Sequence, residues 1–473
     1  MVGLANGAYQ LTDCLAEFRE RPGFRFRLIA INEDNSELLS KNNSTRAHSC
    51  RHLEQYALKA TMIELGLARI IRLLKDTPIT WRAIHIAGTN GKGSVCAYAS
   101  AMLNAGKLRC GRYTSPHLID RWDCITIDEK TVNEKLFHEV EAIVKARDQK
   151  QGIKASEFEI LTATAFEIFN REKIEVGIVE VGLGGRHDAT NALQFPTVTV
   201  ITKIGKDHQS FLGNTLEEIA YQKAGIMKKA VPCIVDGSNM PSVLEVLRHN
   251  AEEVQASSMR VIPQDSEDND QVWVILPKEE FEVHQQMNIC LAFQAIKEVL
   301  AYDHLSLNPR DLLLAISQTV WPGRLQTLSI KGIIGTEQNI LLDGAHNAQS
   351  AEVLGSYVDR KLRKKHGPVT WVIAMSKGKD VQELLACLLK LNDNFIAVKF
   401  GPVDGMPWVR PEERETLVAA AQGLDVEGLS THTEEKLDLG LRWAAKLENG
   451  GPLVVAGSLY LVSDVLRMLR DKR

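Results

Sequence analysis

The sequence predicts an α/β protein with mostly parallel sheets and two domains. Its 473 residues exceed what one hydrophobic core usually fills, which favours a division into two. Short apolar runs alternate with segments of helical periodicity along most of the chain, and this alternation is typical of βαβ units. The apolar runs are continuous and rich in β-branched residues, as expected of strands that are covered on both faces.

The individual elements follow from these patterns. The strand candidates share a short, apolar, β-branched character, and in chain order they are RAIHIAG, EVGIVEVG, TVTVITKIG, NILLDGA, VTWVIAMS, FIAVKFG and LVVAGSL. The helix candidates carry apolar residues at helical spacing, and they are MIELGLARIIRLLK, SVCAYASAMLNAG, FEILTATAFEIFNRE, TLEEIAYQKAGIMKK, MNICLAFQAIKEVL and ELLACLLKL.

The chain is predicted to contain an extension followed by two domains. Residues 1–61 show little periodicity and include a polar stretch, so we expect an extension that is partly disordered. Helical periodicity starts at Met62, and the sequence leaves open whether residues 1–61 are dispensable or whether the true start is Met62. The Pro-Gly pair in WPGR (321–324) interrupts the pattern, which predicts domains over residues 62–320 and 321–473.

The composition is that of a globular enzyme. Hydrophobic residues make up 44% of the chain and charged residues 25%, with a net charge of −4. Acidic and basic residues are mixed along the chain, so the charge pattern does not indicate binding to nucleic acid or to a membrane surface. No apolar run approaches the roughly 20 residues that are needed to span a bilayer. A transit peptide is Arg-rich and acid-poor, unlike the first 60 residues, so we expect a cytoplasmic rather than a mitochondrial protein.

The run HIAGTNGKGSV joins a predicted strand to a predicted helix. Glycines let a ligand approach the backbone, and N–H groups at a helix N-terminus bind anions, so this context predicts a phosphate-binding loop. Lys92 would place a charge on nucleotide phosphates, and Ser94 a hydroxyl on Mg²⁺. The spacing departs from the common G-x-x-x-x-G-K-[ST] pattern, since Ile86 replaces the first glycine and Gly93 separates Lys92 from Ser94. An ordinary glycine-rich turn is the alternative.

Acidic, imidazole and hydroxyl side chains stand near the ends of several strands, where ligands bind in open α/β sheets. Glu180 lies within an apolar strand, and a carboxylate there must be paired, hydrogen-bonded or metal-bound. The alternative is a surface glutamate on an edge strand. Asp207 and His208 follow TVTVITKIG, where His208 is either a metal ligand or a structural histidine. Ser115 follows the short run RCGRYTS.

Lys223 stands on the apolar face of a predicted helix. Thr215-x-x-Glu218 is typical of a capping box that starts this helix. A lysine in such a stripe either extends its ammonium to solvent or is neutralised by its surroundings. Carbamoylation by CO₂ is one form of neutralisation, because it converts the amine into an anionic carbamate that can serve a metal.

Eight ordered segments resemble one family, and they are HIAGTNGKGSVCAY, RYTSPHLIDRWDCITID, SEFEILTATAFEIF, VEVGLGGRHDATN, ITKIGKDHQSFLGNTLEEIAYQKAGIM, WPGRLQ, LLDGAHN and VAGSLYLVSDVL. From about Met62 onward, the chain resembles the folylpolyglutamate synthase and dihydrofolate synthase branch of the Mur ligase superfamily. Within that branch, GGRHDATN, QKAGI and VDGMPWVRP resemble the fungal dihydrofolate synthases. His187 departs from the family, which usually has Leu at this position.

The resemblance implies a P-loop ATPase domain and a smaller Rossmann-like C-terminal domain, with ATP between them. It also implies an ATP-dependent amide-forming ligase that joins L-glutamate to 7,8-dihydropteroate through an acyl-phosphate. The alternatives are a folylpolyglutamate synthase acting on reduced folates, a bifunctional enzyme, and a P-loop protein that uses ATP only as a switch. We expect small-molecule partners, neither nucleic acid nor membrane, and a monomer.

The resemblance further implies the residues of the site. The nucleotide would contact Gly91, Lys92, Gly93, Ser94, Val95, Asn288, Arg324, Asp343 and His346. Magnesium would bind Ser94, Ser115, Glu180 and His208. The residues expected to act in catalysis are Lys92, His208, Arg324 and Lys223, the last as a carbamate. The pteroate group would lie against Met62, Ile63, Glu64, Leu65, Ser156, Glu157, Phe158, Glu159, His187, Asp188 and Ala189.

Overall fold

The computed structural model describes residues 66–264, 270–319, 321–447 and 451–472. The predictions made for residues 1–61 and for residues 62–65 lie outside the described residues. Within the described ranges two sheets are each packed against helices. The α/β prediction is therefore confirmed, while the exact division at residue 320 stays a prediction.

An eight-stranded sheet occupies the first part of the described chain. Its strands are β1 (Arg82–Ala87), β2 (Cys110–Tyr113), β3 (Ile125–Ile127), β4 (Lys130–Thr131), β5 (Val176–Glu180), β6 (Val198–Ile201), β7 (Pro232–Asp236) and β8 (Ser258–Ile262). They lie in the order β4-β3-β2-β5-β1-β6-β7-β8. The strands from β2 to β8 in this order are parallel, whereas β3 and β4 extend the sheet antiparallel.

Helices cover both faces of this sheet. They are α1 (Ala68–Leu73), α2 (Lys92–Ala105), α3 (Glu134–Gln151), α4 (Glu157–Arg171), α5 (Gln209–Leu212), α6 (Leu216–Ala224), α7 (Pro241–Glu253), α8 (Asp270–Trp273), α9 (Val283–Tyr302) and α10 (Pro309–Leu314). Residues of β1 alternate between the faces, so that Ile84 and Ile86 pack with α2 and α9, and Ala83 packs with α3 and α4. Burial on both faces explains the continuous apolar runs.

A six-stranded sheet occupies the second part of the described chain. Its strands are β9 (Gln326–Ser329), β10 (Asn339–Leu342), β11 (Thr370–Ile373), β12 (Asn394–Ala397), β13 (Ser430–Thr433) and β14 (Leu453–Ala456), in the order β13-β12-β11-β14-β10-β9. Only β9 pairs antiparallel among these described strands. The helices are α11 (Lys331–Ile334), α12 (Ala348–Val358), α13 (Lys364–His366), α14 (Val381–Leu388), α15 (Arg414–Gln422), α16 (Leu437–Ala444) and α17 (Leu459–Arg470).

The predicted strands are confirmed, since all seven apolar runs form strands. Strands β3, β4, β7, β8, β9 and β13 were not predicted from the sequence, and most of them lie at or near a sheet edge. Strands β8 and β9 alternate between exposed and half-buried residues over most of their length, so they lack the continuous apolar signal. Within the described ranges, no helix has the length and apolar character needed to cross a membrane.

Candidate active site

The glycine-rich loop joins β1 to α2 at the edge where the parallel strands end. Lys203, which follows β6, accepts hydrogen bonds at its carbonyl from the N–H groups of Thr89 (2.9 Å) and Asn90 (3.1 Å). Gly91 has a φ of 94°, and a Cβ there would lie 2.4 Å from Asn288 Oδ1 of α9. Glycine allows both the conformation and the approach at low cost. The structure therefore brings Asn288 against the loop, beside Gly91.

Lys92 and Glu180 meet at this loop. Lys92 is the first residue of α2, and its Nζ lies 3.7 Å from Glu180 Oε1 and donates to Thr89 O at 3.2 Å. Glu180 ends β5, which has a neighbouring strand on each side, and it is 5% exposed. The alternative of a surface glutamate on an edge strand is therefore wrong. Burial raises the pKa of Glu180, while the charge of Lys92 opposes that rise.

Ser115 presents a hydroxyl beside this carboxylate. Its N–H donates to Glu180 Oε2 at 3.3 Å. Its Oγ is buried and has no hydrogen-bond partner among the described residues, a costly arrangement for a hydroxyl unless a ligand completes it. Hydroxyl and carboxylate oxygens are hard donors of the kind that Mg²⁺ binds. This pair therefore fits a magnesium site.

The first turn of α2 carries the remaining residues of the loop motif. Ser94 is half-buried, and Val95 is fully buried. The Val95 N–H donates to Gly91 O at 2.9 Å, so this amide is used within the helix. Gly93 lies beneath an indole, because a Cβ there would lie 3.0 Å from Trp321 Cζ2.

Lys223 points inward from α6. Thr215 and Glu218 form the predicted capping box at the start of this helix. Lys223 is 5% exposed, and its Nζ donates to Gly88 O at 2.8 Å. Extension of this ammonium to solvent, one of the alternatives, is therefore wrong. Burial lowers the pKa of Lys223 to about 7, and the charge of Lys92 adds to that shift.

Asp207 connects the two sheets. It follows β6, and its Oδ2 lies 3.4 Å from His346 Nε2, while Lys379 pairs with its Oδ1. Both partners belong to the second part of the chain. Burial alone would raise the pKa of Asp207, but the hydrogen bond from His346 and the surrounding positive charges hold it well below its usual range.

His208 stands next to Asp207 in the chain. It adopts the left-handed conformation, with a φ of 51°, and 48% of its side chain is exposed. Partial enclosure of the ring lowers the pKa of His208, and the charge of Asp207 opposes that effect. His208 therefore presents a neutral, partly exposed imidazole next to Asp207, which connects the two sheets. A histidine that binds a metal ion must be neutral and accessible in this way.

Arg324 and Asp343 lie where the second sheet meets the first. The carboxylate of Asp343 accepts hydrogen bonds from the N–H groups of Leu325 (2.7 Å) and Ala345 (2.8 Å), one on each oxygen. Burial raises the pKa values of both Asp343 and Glu180, and the charge of Arg324 opposes the rise in each case. Arg324 thus acts on carboxylates of both sheets.

Part of the predicted pteroate surface is engaged in local structure. Ser156 caps α4, with its hydroxyl accepting from Glu159 N–H at 3.3 Å and its own N–H donating to Glu159 Oε2 at 2.7 Å. Arg69 pairs with the same carboxylate at 3.0 Å. Glu157 lies 3.3 Å from Arg121. The carboxylates of Glu157 and Glu159 therefore help to hold α4 in place.

The other predicted pteroate residues lie around the loop after β5. A Cβ at Gly182 would lie 2.4 Å from Phe158 Cζ, so the ring rests on that loop. Asp188 and Ala189 are 4% and 5% exposed, respectively. His187, which departs from the family pattern, is exposed. The structure therefore groups Phe158 with the loop, but directs the His187 side chain towards solvent.

Metal ligation here would need more than side-chain carboxylates and imidazoles. Across the described ranges, no three His, Cys, Asp or Glu side chains cluster in the geometry of a metal site, so hydroxyl and phosphate oxygens would have to complete it. A groove of about 760 Å³ lies elsewhere, between α6 and α7, and Phe211, Tyr221 and Glu245 are among its lining residues. None of the predicted site residues lines it.

Trp321 and Lys379 contact the candidate site but were not predicted. Lys379 and Asp207 are 172 residues apart, and Trp321 lies far along the chain from Gly93. The rule that identified Glu180 could have found Lys379, since this lysine follows the carboxyl end of β11. No local signal indicates where the Trp321 side chain packs.

Two family models match the chain. The model described as "Mur ligase middle domain" matches residues 86–255, which include most of the first sheet. The model described as "Dihydrofolate synthetase, C-terminal domain" matches residues 326–468, which include the second sheet. The two matches fall on either side of the segment that carries Trp321 and Arg324.

Full-length relatives agree with these matches. A probable dihydrofolate synthetase of Schizosaccharomyces pombe is 36% identical over 420 residues, covering 86% of this chain and 99% of that protein. The dihydrofolate synthetase of Saccharomyces cerevisiae is 35% identical over 427 residues, covering 86% and 98%. The structure of a bifunctional folylpolyglutamate synthase/dihydrofolate synthase of Yersinia pestis, with AMPPNP and Mn ion, has a TM-score of 0.68 at 25% identity, covering 90% of this chain and 98% of that chain. This chain therefore belongs to the dihydrofolate synthase and folylpolyglutamate synthase family of Mur ligases.

Proposed function

We propose that this chain joins L-glutamate to 7,8-dihydropteroate and gives 7,8-dihydrofolate, ADP and phosphate. Family membership makes it an ATP-dependent ligase of folate metabolism, and the proposal concerns the choice of dihydropteroate. The fungal dihydrofolate synthetases support it, because this chain matches nearly their whole length. The structural observation that carries the chemistry is the ion pair between Lys92 of the phosphate loop and the buried Glu180.

A carboxylate is a poor electrophile, so amide formation requires its activation. The γ-phosphoryl group of ATP moves to a carboxylate oxygen of dihydropteroate, and ADP is released. The glutamate amine then attacks the carbonyl carbon, loses a proton and expels phosphate. Negative oxygens must meet in the first step, so neutralisation of charge is the main task of the site. Lys92 contributes positive charge from the start of α2, and Arg324 contributes it from the segment before β9.

We assign the predicted residues to nucleotide and metal accordingly. The phosphates are assigned to Gly91, Lys92, Gly93, Ser94 and Val95, and the rest of the nucleotide contacts to Asn288, Arg324, Asp343 and His346. Magnesium is assigned to Ser94, Ser115, Glu180 and His208. When bound there, the cation would supply positive charge that neutralises phosphate oxygens. The Ser115 Oγ has no hydrogen-bond partner among the described residues, and the Ser115 N–H contacts Glu180, and both observations support the metal assignment.

We further propose that Lys223 carries a carbamate. A neutral amine attacks CO₂ and loses a proton, and a lysine with a pKa of about 7 is neutral in about half of the molecules near pH 7, whereas an ordinary lysine is almost entirely charged. The Lys223 Nζ lies 2.8 Å from Gly88 O, so the modified side chain would stand directly beside the phosphate loop. Its negative charge would face Lys92 and any bound cation.

The pteroate group is assigned to the surface that contains residues 156–159 and 187–189, together with residues 62–65. We retain a first domain over residues 62–320 and a second over residues 321–473, with the nucleotide between them. Closure of the two around the nucleotide would exclude water, which otherwise hydrolyses an acyl-phosphate. We also retain a cytoplasmic monomer as the working hypothesis.

The decisive experiment is a glutamate incorporation assay with two acceptors. Purified protein is supplied with ATP, Mg²⁺ and labelled L-glutamate, and either dihydropteroate or tetrahydrofolate. We expect incorporation with dihydropteroate, coupled to release of ADP. The same assay on a chain that begins at Met62 tests whether residues 1–61 are needed.

A folylpolyglutamate synthase is the competing assignment, alone or combined with the first activity. The Yersinia pestis relative is named as bifunctional, so both acceptors must be tested. Incorporation with tetrahydrofolate alone would overturn the choice of dihydropteroate. ATP hydrolysis that needs neither acceptor nor glutamate would instead indicate a protein that uses ATP as a switch.

A further inference from the structure

We propose that Trp321 is a positioning residue. It holds the phosphate loop in place through its contact with Gly93, and it fixes the position of Arg324, which ends the turn that Trp321 begins. The proposal deepens the proposed function and rests on only one part of it, the binding of a nucleotide at this loop. Trp321 stands in the segment between the two sheets, so it can transmit the position of one to the other.

The first observation is the close contact between the indole and the loop. A Cβ at Gly93 would lie 3.0 Å from Trp321 Cζ2 and 3.5 Å from Trp321 Cε2. Carbon atoms pack at about 3.5–4.0 Å, so a side chain at residue 93 would force the indole to shift by a few tenths of an ångström. The six-membered ring of Trp321 therefore lies on the backbone of the first turn of α2.

The indole is also held from the first sheet. The guanidinium carbon of Arg112, on β2, lies 5.0 Å from the centroid of the Trp321 ring, within the range of a cation–π contact. Arg112 is itself buried and pairs with Glu129 at 3.2 Å. Trp321 is thus fixed by a buried cation as well as by the glycine contact.

The turn that follows Trp321 is rigid. Pro322 and Gly323 occupy its central positions, and Arg324 N–H donates to Trp321 O at 3.3 Å. Gly323 has a φ of 69°, and Pro followed by a positive-φ Gly is typical of a type II β-turn. Because this turn holds Trp321 and Arg324 close together, the position of Trp321 determines the position of the Arg324 backbone.

This arrangement explains the departure of the loop from the common phosphate-binding pattern. The extra residue between Lys92 and Ser94 is Gly93, and that position faces both Trp321 and Glu180. Gly93 does not have a positive φ, so its conformation does not require glycine. The close approach of the indole is what favours glycine at this position. An alternative is that Gly93 is needed only so that phosphate oxygens can approach the backbone.

A double-mutant cycle separates the two explanations. The four proteins are the wild type, Gly93→Ala, Trp321→Phe and the double variant, and the measurement is the affinity for Mg·ADP by calorimetry on the full chain. Phe lacks the atom that meets the added Cβ. We expect Gly93→Ala to weaken ADP binding about tenfold beside Trp321, and about twofold or less beside Phe. Equal losses in both backgrounds would overturn the proposal.

A matched control uses another tryptophan. Trp408 is 47% exposed, and Trp408→Phe should not relieve the Gly93→Ala defect. If it relieves the defect as well as Trp321→Phe does, the rescue is unspecific and the proposal fails. Thermal unfolding of all variants checks that each is folded.

A second measurement covers the case in which Gly93→Ala does not fold. The fluorescence of Trp321, obtained as the difference between wild type and Trp321→Phe, should change when ADP binds, since the indole touches the loop. An unchanged difference spectrum at saturating ADP would refute the proposal. Neither measurement uses dihydropteroate, so failure of the proposed substrate would leave this test intact.

Discussion

The carboxyl edges of the two sheets differ in how well their polar groups are satisfied. At the first edge, Ser115 has a buried hydroxyl without a partner in the described part of the chain, and Lys223 is a buried amine beside a second lysine. At the second edge, both oxygens of Asp343 accept backbone N–H groups, and His346 Nδ1 lies 2.8 Å from Gly344 O.

This difference indicates that the two edges have different functions. Groups with unmet charge or hydrogen bonds are costly to the fold, and they persist where a ligand completes them. Groups satisfied by their own loops are rigid and can present a cation such as Arg324 at a fixed place. Substitutions at the first edge should therefore reduce activity and spare stability, whereas substitutions of the satisfied groups at the second edge should reduce stability as well, besides any loss of nucleotide contacts.

The largest effect is expected for Lys92→Ala. Removing this charge from the phosphates should lower the ligation rate by about a thousandfold, measured as release of ADP with both substrates present. Glu180 keeps the hydrogen bond from the Ser115 N–H, and burial favours its protonated form once Lys92 is gone, so the free energy of unfolding should change by less than about 1 kcal/mol. Lys361→Ala, at an exposed site, is the control. Near-normal turnover of Lys92→Ala would refute the loop assignment.

Lys223→Ala should come next, with a loss of about a hundredfold or more. If the native group is a carbamate, short-chain carboxylic acids should restore part of the activity by occupying the space beside Gly88. The measurement is turnover against acetate or propionate concentration, with Lys92→Ala as the control that no acid can rescue. Absence of rescue, combined with an unmodified Lys223 by mass spectrometry in bicarbonate buffer, would remove the carbamate from the mechanism.

The second edge is tested by Asp343→Asn. An amide offers only one acceptor oxygen, so the N–H of Leu325 or Ala345 loses its partner. A buried donor without a partner costs about 2 kcal/mol, which should appear in urea unfolding. Asp425→Asn is the control, because Asp425 is exposed and its φ of 51° suits Asn. A stable but inactive Asp343→Asn would break the distinction between the edges.

Local sequence patterns predicted the parts of the site that lie within one βα unit. The loop before Lys92, the buried Glu180 and the capping box before Lys223 each depend on residues that are close in the chain. Their geometry follows from element type and spacing, which sequence carries directly. The strands with continuous apolar runs were predicted for the same reason.

Contacts between the two sheets could not be predicted in this way. The sequence marks Asp207 only as the residue before His208 at the end of a strand, yet Asp207 pairs with Lys379 and His346. The indole of Trp321 reaches Gly93 across an even longer separation in the chain. Such contacts depend on how the two sheets and their helices meet, and no periodicity or spacing in the sequence records that. His187 shows the same limit, since its exposure depends on the loop around it.

Ser115→Ala tests the unmet hydroxyl directly, with a smaller expected effect. Loss of one oxygen ligand should raise the Mg²⁺ concentration needed for half-maximal turnover by about tenfold, while saturating Mg²⁺ restores most of the rate. Because the Oγ has no partner to lose in the described structure, stability should be unchanged. Ser258→Ala, at an exposed position, is the control. An unchanged Mg²⁺ requirement would assign Ser115 to structure instead.

The smallest effect concerns the pH dependence of stability. Burial lowers the pKa of Lys223 from 10.5 to about 7, so between these pH values the unfolded chain binds a proton that the folded chain releases. Stability therefore rises with pH in this window and is lost as pH falls through it, by up to about 1.4 kcal/mol per pH unit. Lys223→Met cannot titrate and should lack this term. In CO₂-free buffer, urea unfolding of wild type and Lys223→Met at pH 8 and pH 9 measures the difference. Parallel pH dependences would show that Lys223 keeps its proton in the folded state. The polar groups of the first edge would then be satisfied within the protein, as those of the second edge are.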